Sequence, residues 1–206
     1  MPFVTTTDAG IPIQGPTATL LYDDWYPALR TDTLRKGKLA KAMLLNLPLV
    51  LGRLKSGKLF AMRDSCPHRG IPLSEGWFNG ERVTCRYHGW EFEPCSGRCE
   101  LIPSLSSHDH LDAARIYATA FPCAERDGHA WVFVPSPGSR RHSPGAKRVP
   151  ELEKFSPRFR TAFLTADLPC NVDHGIIGLM DPAHGPFVHQ AWWWRKIGRA
   201  SCRERV

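Results

Sequence analysis

Cys66-Pro67-His68-Arg69-Gly70 and, further on, Cys85-Arg86-Tyr87-His88-Gly89-Trp90 are the stretches whose reading decides the rest of this chain. Each supplies one thiolate and one imidazole, as Cys-x-His and then Cys-x-x-His, with sixteen residues between the halves. A structural zinc site usually draws like ligands from one hairpin, a pair of cysteines and then a pair of histidines. Here each half gives one ligand of each kind, which suits two loops facing each other across a metal centre.

A Rieske [2Fe–2S] cluster needs two thiolates on one iron and two imidazoles on the other. On that reading Cys66 and Cys85 hold one iron, and His68 and His88 hold the other. A zinc knuckle, a Cys66–Cys85 disulfide and unrelated buried cysteines are the competing readings of the same residues. Gly70 and Gly89 let the backbone turn tightly beside the cluster, where amide N–H groups tune its potential. Neutral imidazole ligands raise that potential above the value for an all-cysteine cluster.

The 206 residues hold one domain of ordinary size and part of another. Hydrophobic residues make up 42% and charged residues 23%, enough for a packed core with a solvated surface. Met43 to Leu51, the nearest approach to a membrane span, is short and interrupted by Asn46 and Pro48. Met1 to Thr6 has no basic region leading into an apolar one, so no secretory signal is expected and a cytoplasmic location is the default. Of the seven cysteines, Cys95 and Cys99 follow the second loop and are expected to pack as small apolar residues.

Residues 197–206, Ile-Gly-Arg-Ala-Ser-Cys-Arg-Glu-Arg-Val, read as the translation of a common short-read sequencing adapter and are set aside as an artefact. Removing their three Arg and one Glu takes the formal charge from +7 to +5. That modest excess gives no reason to invoke nucleic acid.

Residues 1–19 read as an extended arm rich in Thr, Pro and Gly, and Trp25 to Leu34 as a short helical segment. Ala42 to Leu45, Leu47 to Leu51 and Leu59 to Met62 are expected to be antiparallel strands. Asn79-Gly80 is a hairpin-turn pair, with Val83-Thr84-Cys85 the strand that leads into the second loop. Two further strands are expected at Ile116 to Phe121 and Ala130 to Val134, joined by Glu125-Arg126-Asp127-Gly128. Residues 20–138 thus form a mostly β domain, an antiparallel sandwich carrying both loops. Residues 139–150 are a Pro-, Gly- and basic-rich linker or surface loop, and 151–196 begin a second, α+β domain with a strand through Phe159 to Leu168.

The two loops with their surroundings resemble the Rieske domain of the Rieske non-haem iron oxygenases, the large subunits of aromatic ring-hydroxylating and related enzymes. Trp25-Tyr26-Pro27, Pro72-Leu73-Ser74, Phe92, Gly97, Ile102-Pro103, Gly128 and Trp131-Val132-Phe133 extend the likeness over most of residues 20 to 135. Asp181-Pro182-Ala183-His184-Gly185-Pro186-Phe187-Val188-His189 resembles the family's second ligand motif, Asp-x-x-His-x-x-x-x-His. The resemblance implies that His184 and His189 bind a mononuclear Fe(II), completed by a carboxylate that lies beyond this chain, and that Asp181 links a Rieske histidine of a neighbouring subunit to that iron.

Read from the residues alone, Asp181 is also a natural helix N-cap with Pro182 at the first helical position. Three residues apart on a helix, Asp181 and His184 would share a face. Gly185-Pro186 suggests a distorted turn that brings both histidines to one metal. His174 is expected to be a local hydrogen-bonding residue, and Trp192-Trp193-Trp194 a buried aromatic cluster. Ile177 and Gly178 stand where the family often has an Asn.

The resemblance implies a terminal oxygenase that takes NAD(P)H electrons from a reductase, directly or through a ferredoxin, and activates O₂ to oxygenate a small organic, plausibly aromatic, substrate. It also implies a homo-oligomer, commonly a trimer; the present chain is then a fragment that keeps the cluster but lacks turnover. The alternatives are a Rieske-type ferredoxin without oxygen chemistry, which has no use for Asp181 to His189, and a zinc-binding structural module.

Overall fold

A computed structural model of the chain describes residues 21–106, 108–139, 143–151, 169–181 and 184–189. The N-terminal arm, the Phe159–Leu168 segment, Trp192 to Trp194 and residues 197–206 lie outside them. The chain divides into two compact units, one of which is Leu20–Lys154.

Within Leu20–Lys154 the described strands are all antiparallel. They are β1 (Asp24–Arg30), β2 (Leu39–Leu44), β3 (Leu47–Arg53), β4 (Leu59–Arg63), β5 (Trp77–Phe78), β6 (Val83–Thr84), β7 (Glu91–Phe92), β8 (Cys99–Leu101), β9 (Ala120–Phe121), β10 (Cys123–Arg126) and β11 (His129–Val134). They make three sheets, ordered β1-β11-β10, β2-β3-β4-β9 and β5-β6-β7-β8. The mostly β, antiparallel architecture expected from the sequence is what the chain adopts.

The middle sheet explains the apolar run of β3. Leu49 and Leu51 point to a core shared with Leu59, Ala61, Phe121, Ala130 and Val132. Val50 points the other way, into a core with Phe60, Met62, Val83 and Phe92. A strand buried on both faces must be apolar at consecutive positions rather than alternate ones. Each fully buried Leu, Val, Met or Phe there contributes about 1.5–3 kcal/mol. Gly52, the cross-strand partner of Phe60, makes room for that ring: a Cβ at position 52 would lie 2.6 Å from the Phe60 Cζ. The second core also contains Cys66, Cys85 and Cys99, so both candidate ligand cysteines hang from the wall between the middle and the small sheet.

Three expectations need correction. Trp25 to Leu34 is β1 followed by a single 3-10 turn at Thr31–Thr33, not a helix. Trp25 pairs with Phe133 across the sheet, the rings in edge contact at 5.7 Å, and Pro27 is accommodated at a register shift on an edge strand. The strand expected at Ile116 to Phe121 shrinks to β9, with only a bridge between Tyr117 and Arg98 before it. Glu125 and Arg126 are not turn residues but the end of β10; the turn is Asp127-Gly128, with φ of 49° and 73°. That two-residue hairpin, like Leu45-Asn46 with φ of 48° and 62°, matches the twist of its strands.

The end of the basic segment lies against the first sheet. Trp25 Nε1–H donates to the Lys147 carbonyl (3.1 Å), Lys147 pairs with Asp24, and Arg126 reaches the Val149 carbonyl and Glu151.

The described part of the other unit is helical: α1 (Val172–Met180) and the single turn α2 (Gly185–Val188). The Asn171 side chain caps α1 by accepting the Asp173 N–H at 2.8 Å. Asp181 ends α1 rather than starting the next helix, whose N-cap is His184. Pro182 is the reason, since the residue before a proline is pushed out of the α region, and Asp181 has φ −93° and ψ 98°. No described helix is long and apolar enough to cross a membrane.

Candidate metal centres

The two ligand loops are built alike. In the first, Gly70 N–H donates to the Cys66 carbonyl (2.8 Å) and Cys66 N–H to that of Ile71 (2.8 Å). In the second, Gly89 N–H donates to Cys85 (2.9 Å) and Cys85 N–H to Trp90 (2.8 Å). Gly70 and Gly89 sit at φ of 72° and 71°, a conformation that costs most side chains about 1–2 kcal/mol. A third loop, Glu93 to Arg98, repeats the pattern with Gly97 donating to Glu93 and Glu93 to Arg98, but has Glu93 where the others have a ligand cysteine.

This shared turn sorts the donors by depth. Cys66 and Cys85 are 3% and 2% exposed, neighbours close enough for their thiols to interact, while His68 and His88 are exposed with ring centres 4.6 Å apart. All described cysteines are free, so the Cys66–Cys85 disulfide is not formed. Among the described residues no three His, Cys, Asp or Glu converge on one single-ion position. A tetrahedral zinc site needs four donors around one ion; a thiol pair below an imidazole pair suits two irons instead.

Burial raises the Cys66 thiol above its ordinary range, opposed by the backbone N–H groups of His68 and Arg69 directed at its sulfur. Those amides are the donors that stabilise a metal-bound thiolate once it forms. His68 is held below the usual imidazole range, first by partial desolvation and then by His88 and Arg69. That favours the neutral form a metal requires.

Residues outside the ligands hold the loops, and the sequence did not single them out. Asp64 accepts from both the N–H (2.7 Å) and the hydroxyl (2.6 Å) of Ser74, closing the first loop at its base. Beside Ser74, Leu73 is fully buried, and Glu75 pairs with Lys41 of β2 and Arg86 of the second loop. The only sequence signal was Pro72-Leu73-Ser74, which carries no chemistry of its own. Cys99 packs in the core and Cys95 against it, as expected; burial pushes both thiols up.

The second constellation is described apart, in its own unit. His184 and His189 flank α2, as N-cap and C-cap, with ring centres 5.4 Å apart. Metal–nitrogen bonds of about 2.1 Å put two adjacent imidazoles on one ion with centres roughly 4.5–5.5 Å apart, so the pair fits a shared metal. The short turn spans the five-residue spacing that a continuous helix would leave on different faces. Asp181 Oδ2 lies 3.6 Å from His184 Nδ1, although Asp181 ends α1 and His184 caps α2, so the two do not share a helix face. His174 is exposed on α1.

A family model described as the Rieske [2Fe–2S] domain matches residues 24–120. The chain is 33% identical over 176 residues to chlorophyllide a oxygenase, chloroplastic, of Arabidopsis thaliana, covering 84% of this chain and 30% of that protein. The structure of dicamba monooxygenase with non-heme iron and dicamba superposes with a TM-score of 0.53 at 32% identity, over 64% of this chain and 38% of that one. The reduced oxygenase–ferredoxin complex of carbazole 1,9a-dioxygenase gives 0.51 at 25% identity, over 56% and 29%.

Residues 24–120 are therefore a Rieske [2Fe–2S] domain. Beyond that domain the chain is similar to Rieske oxygenases, and it spans about a third of the length of these relatives.

Proposed function

We propose that this chain belongs to the terminal component of an oxygenase, in which Cys66, Cys85, His68 and His88 hold a [2Fe–2S] cluster and His184 and His189 hold a mononuclear iron. The observation that carries the reading is the depth sorting of the first site. Its thiols are buried in the core and its imidazoles face outward, so charge enters and leaves on the histidine side. When bound, the cluster supplies one-electron transfer and the mononuclear iron supplies O₂ activation.

The residues of the chain account for the rest. The N–H groups of His68 and Arg69 stabilise the Cys66 thiolate, and partial desolvation, aided by His88 and Arg69, favours neutral His68. Asp181, with Oδ2 3.6 Å from His184 Nδ1, would support that imidazole as a metal ligand and act as the bridge toward a histidine of the cluster in a neighbouring subunit. With a carboxylate as third ligand, His184 and His189 would hold an iron able to supply O₂ activation. The substrate is a small organic molecule, aromatic in the family it resembles, and the assembly a homotrimer. Electrons come from a reductase or a ferredoxin; the ferredoxin complex of the structurally similar carbazole dioxygenase supports that partner.

Two measurements test the reading. The purified chain should contain two irons and two acid-labile sulfides per Rieske domain, with an EPR signal on reduction; zinc without sulfide would sink it. Added Fe(II) should bind a second site that His184→Ala and His189→Ala both abolish without loss of sulfide. Equal Fe(II) binding in both variants would instead favour a Rieske-type ferredoxin.

A further inference from the structure

Trp90 belongs to the second ligand loop, yet its indole lies flat on His68 of the first. The ring centres are 4.5 Å apart and the planes within 3° of parallel. His88, on a neighbouring ring 4.6 Å away, is tilted by 52° and does not stack. The backbone reverses at Gly89 (φ 71°), and the Cys85 N–H donates to the Trp90 carbonyl at 2.8 Å. Trp90 also packs against the buried core below the loops, which determines where its ring can sit. We propose that Trp90 is a positioning residue that clamps His68 across the two loops and lowers the reduction potential of the cluster bound there.

The sign follows from the charge of the two redox states. An oxidised iron draws electron density from its imidazole ligand, leaving that ring more positive than after reduction. The face of an indole is electron-rich and attracts positive charge. The stack therefore stabilises the oxidised state more than the reduced one. Reduction itself takes one electron from the donor protein to the cluster, with no bond made or broken at Trp90 and no proton taken from it. The same stack covers one face of an otherwise exposed ligand and keeps water from that face.

This inference rests on the cluster reading above, so iron and sulfide content is measured first: an apo parent protein would overturn that reading, and this one with it. In loaded protein, 5,6,7-trifluorotryptophan placed at position 90 alone weakens the electron-rich face while keeping the ring's shape. The midpoint potential, from an EPR-monitored titration at constant pH, should shift positive. The expected change is roughly threefold in the reduction equilibrium, about 30 mV for a one-electron couple. Trp90→Phe should shift in the same direction, and Trp90→Leu should shift furthest or lose the cluster faster to a chelator. A fluorinated protein that keeps the parent's potential would overturn the proposal.

Discussion

At the scale of single residues, depth and backbone conformation separate the positions that bind from those that only support. Gly97 has φ 77°, and a Cβ there would lie 1.8 Å from the Ala118 carbonyl oxygen. Gly57 has φ 92° with open space around it. Gly57→Ala should cost only the backbone conformation, about 1–2 kcal/mol. Gly97→Ala must add a steric clash of about 1–3 kcal/mol. Urea melts of the two variants should show that gap, and equal losses would mean that the third loop yields easily. Among the cysteines the contrast is chemical. Cys99 is fully buried but faces the core, so Cys99→Ala should cost about 1 kcal/mol and leave sulfide content unchanged. Cys66→Ala removes a ligand, and acid-labile sulfide should fall to background.

At the scale of elements, what was legible depended on whether a residue's chemistry or its surroundings decide its place. The two Cys/His loops stand out in the sequence because metal binding restricts residue type and spacing together, and the matched Rieske domain contains both. Leu47 to Leu51 could be read because burial on both faces leaves an apolar run. β1 could not, since its pairing with β11 lies about a hundred residues away in the chain and overrides local preference. Cys-Ala-Glu-Arg of β10 lacks the β-branched and aromatic residues that mark strands, and it is held by the hairpin at Asp127-Gly128 and by partners far away in the sequence, such as Arg53. The Asp64–Ser74 clasp was invisible for the same reason: ten residues apart, its partners meet only after the first loop has closed. Asp64→Ala should leave the Ser74 N–H without its acceptor, costing about 1–3 kcal/mol. Chelator-driven loss of the cluster should speed up, because the opened loop carries both Cys66 and His68. Unchanged loss kinetics would assign the clasp to stability alone.

For the whole molecule, the question is what holds one sheet to the next once their apolar faces have met. Arg53 of β3 and Glu125 of β10 form a two-pronged pair, at 2.7 and 3.1 Å, between the middle sheet and the first. The Arg53 guanidinium holds the Glu125 carboxyl below its ordinary value of 4.5, against a smaller opposing effect of burial. A carboxylate with a depressed folded pKa stabilises the fold above its unfolded value, and that stability is lost as the pH falls through the folded value. The Glu125 side chain is 43% exposed, so solvent screening limits the pair to about 0.5–1 kcal/mol. Arg53→Met should therefore cost about that much at pH 7. The difference from the parent should shrink as the pH drops below 4.5 and Glu125 takes up its proton, down to what the hydrogen bond from Arg53 Nη1 to the Gly57 carbonyl (3.0 Å) contributes. Denaturant melts of both proteins from pH 7 to pH 3 would show the two stabilities converging. Parallel curves would place the effect of Arg53 in its hydrogen bond to the Gly57 carbonyl and the packing of its aliphatic stem, because both are indifferent to protons.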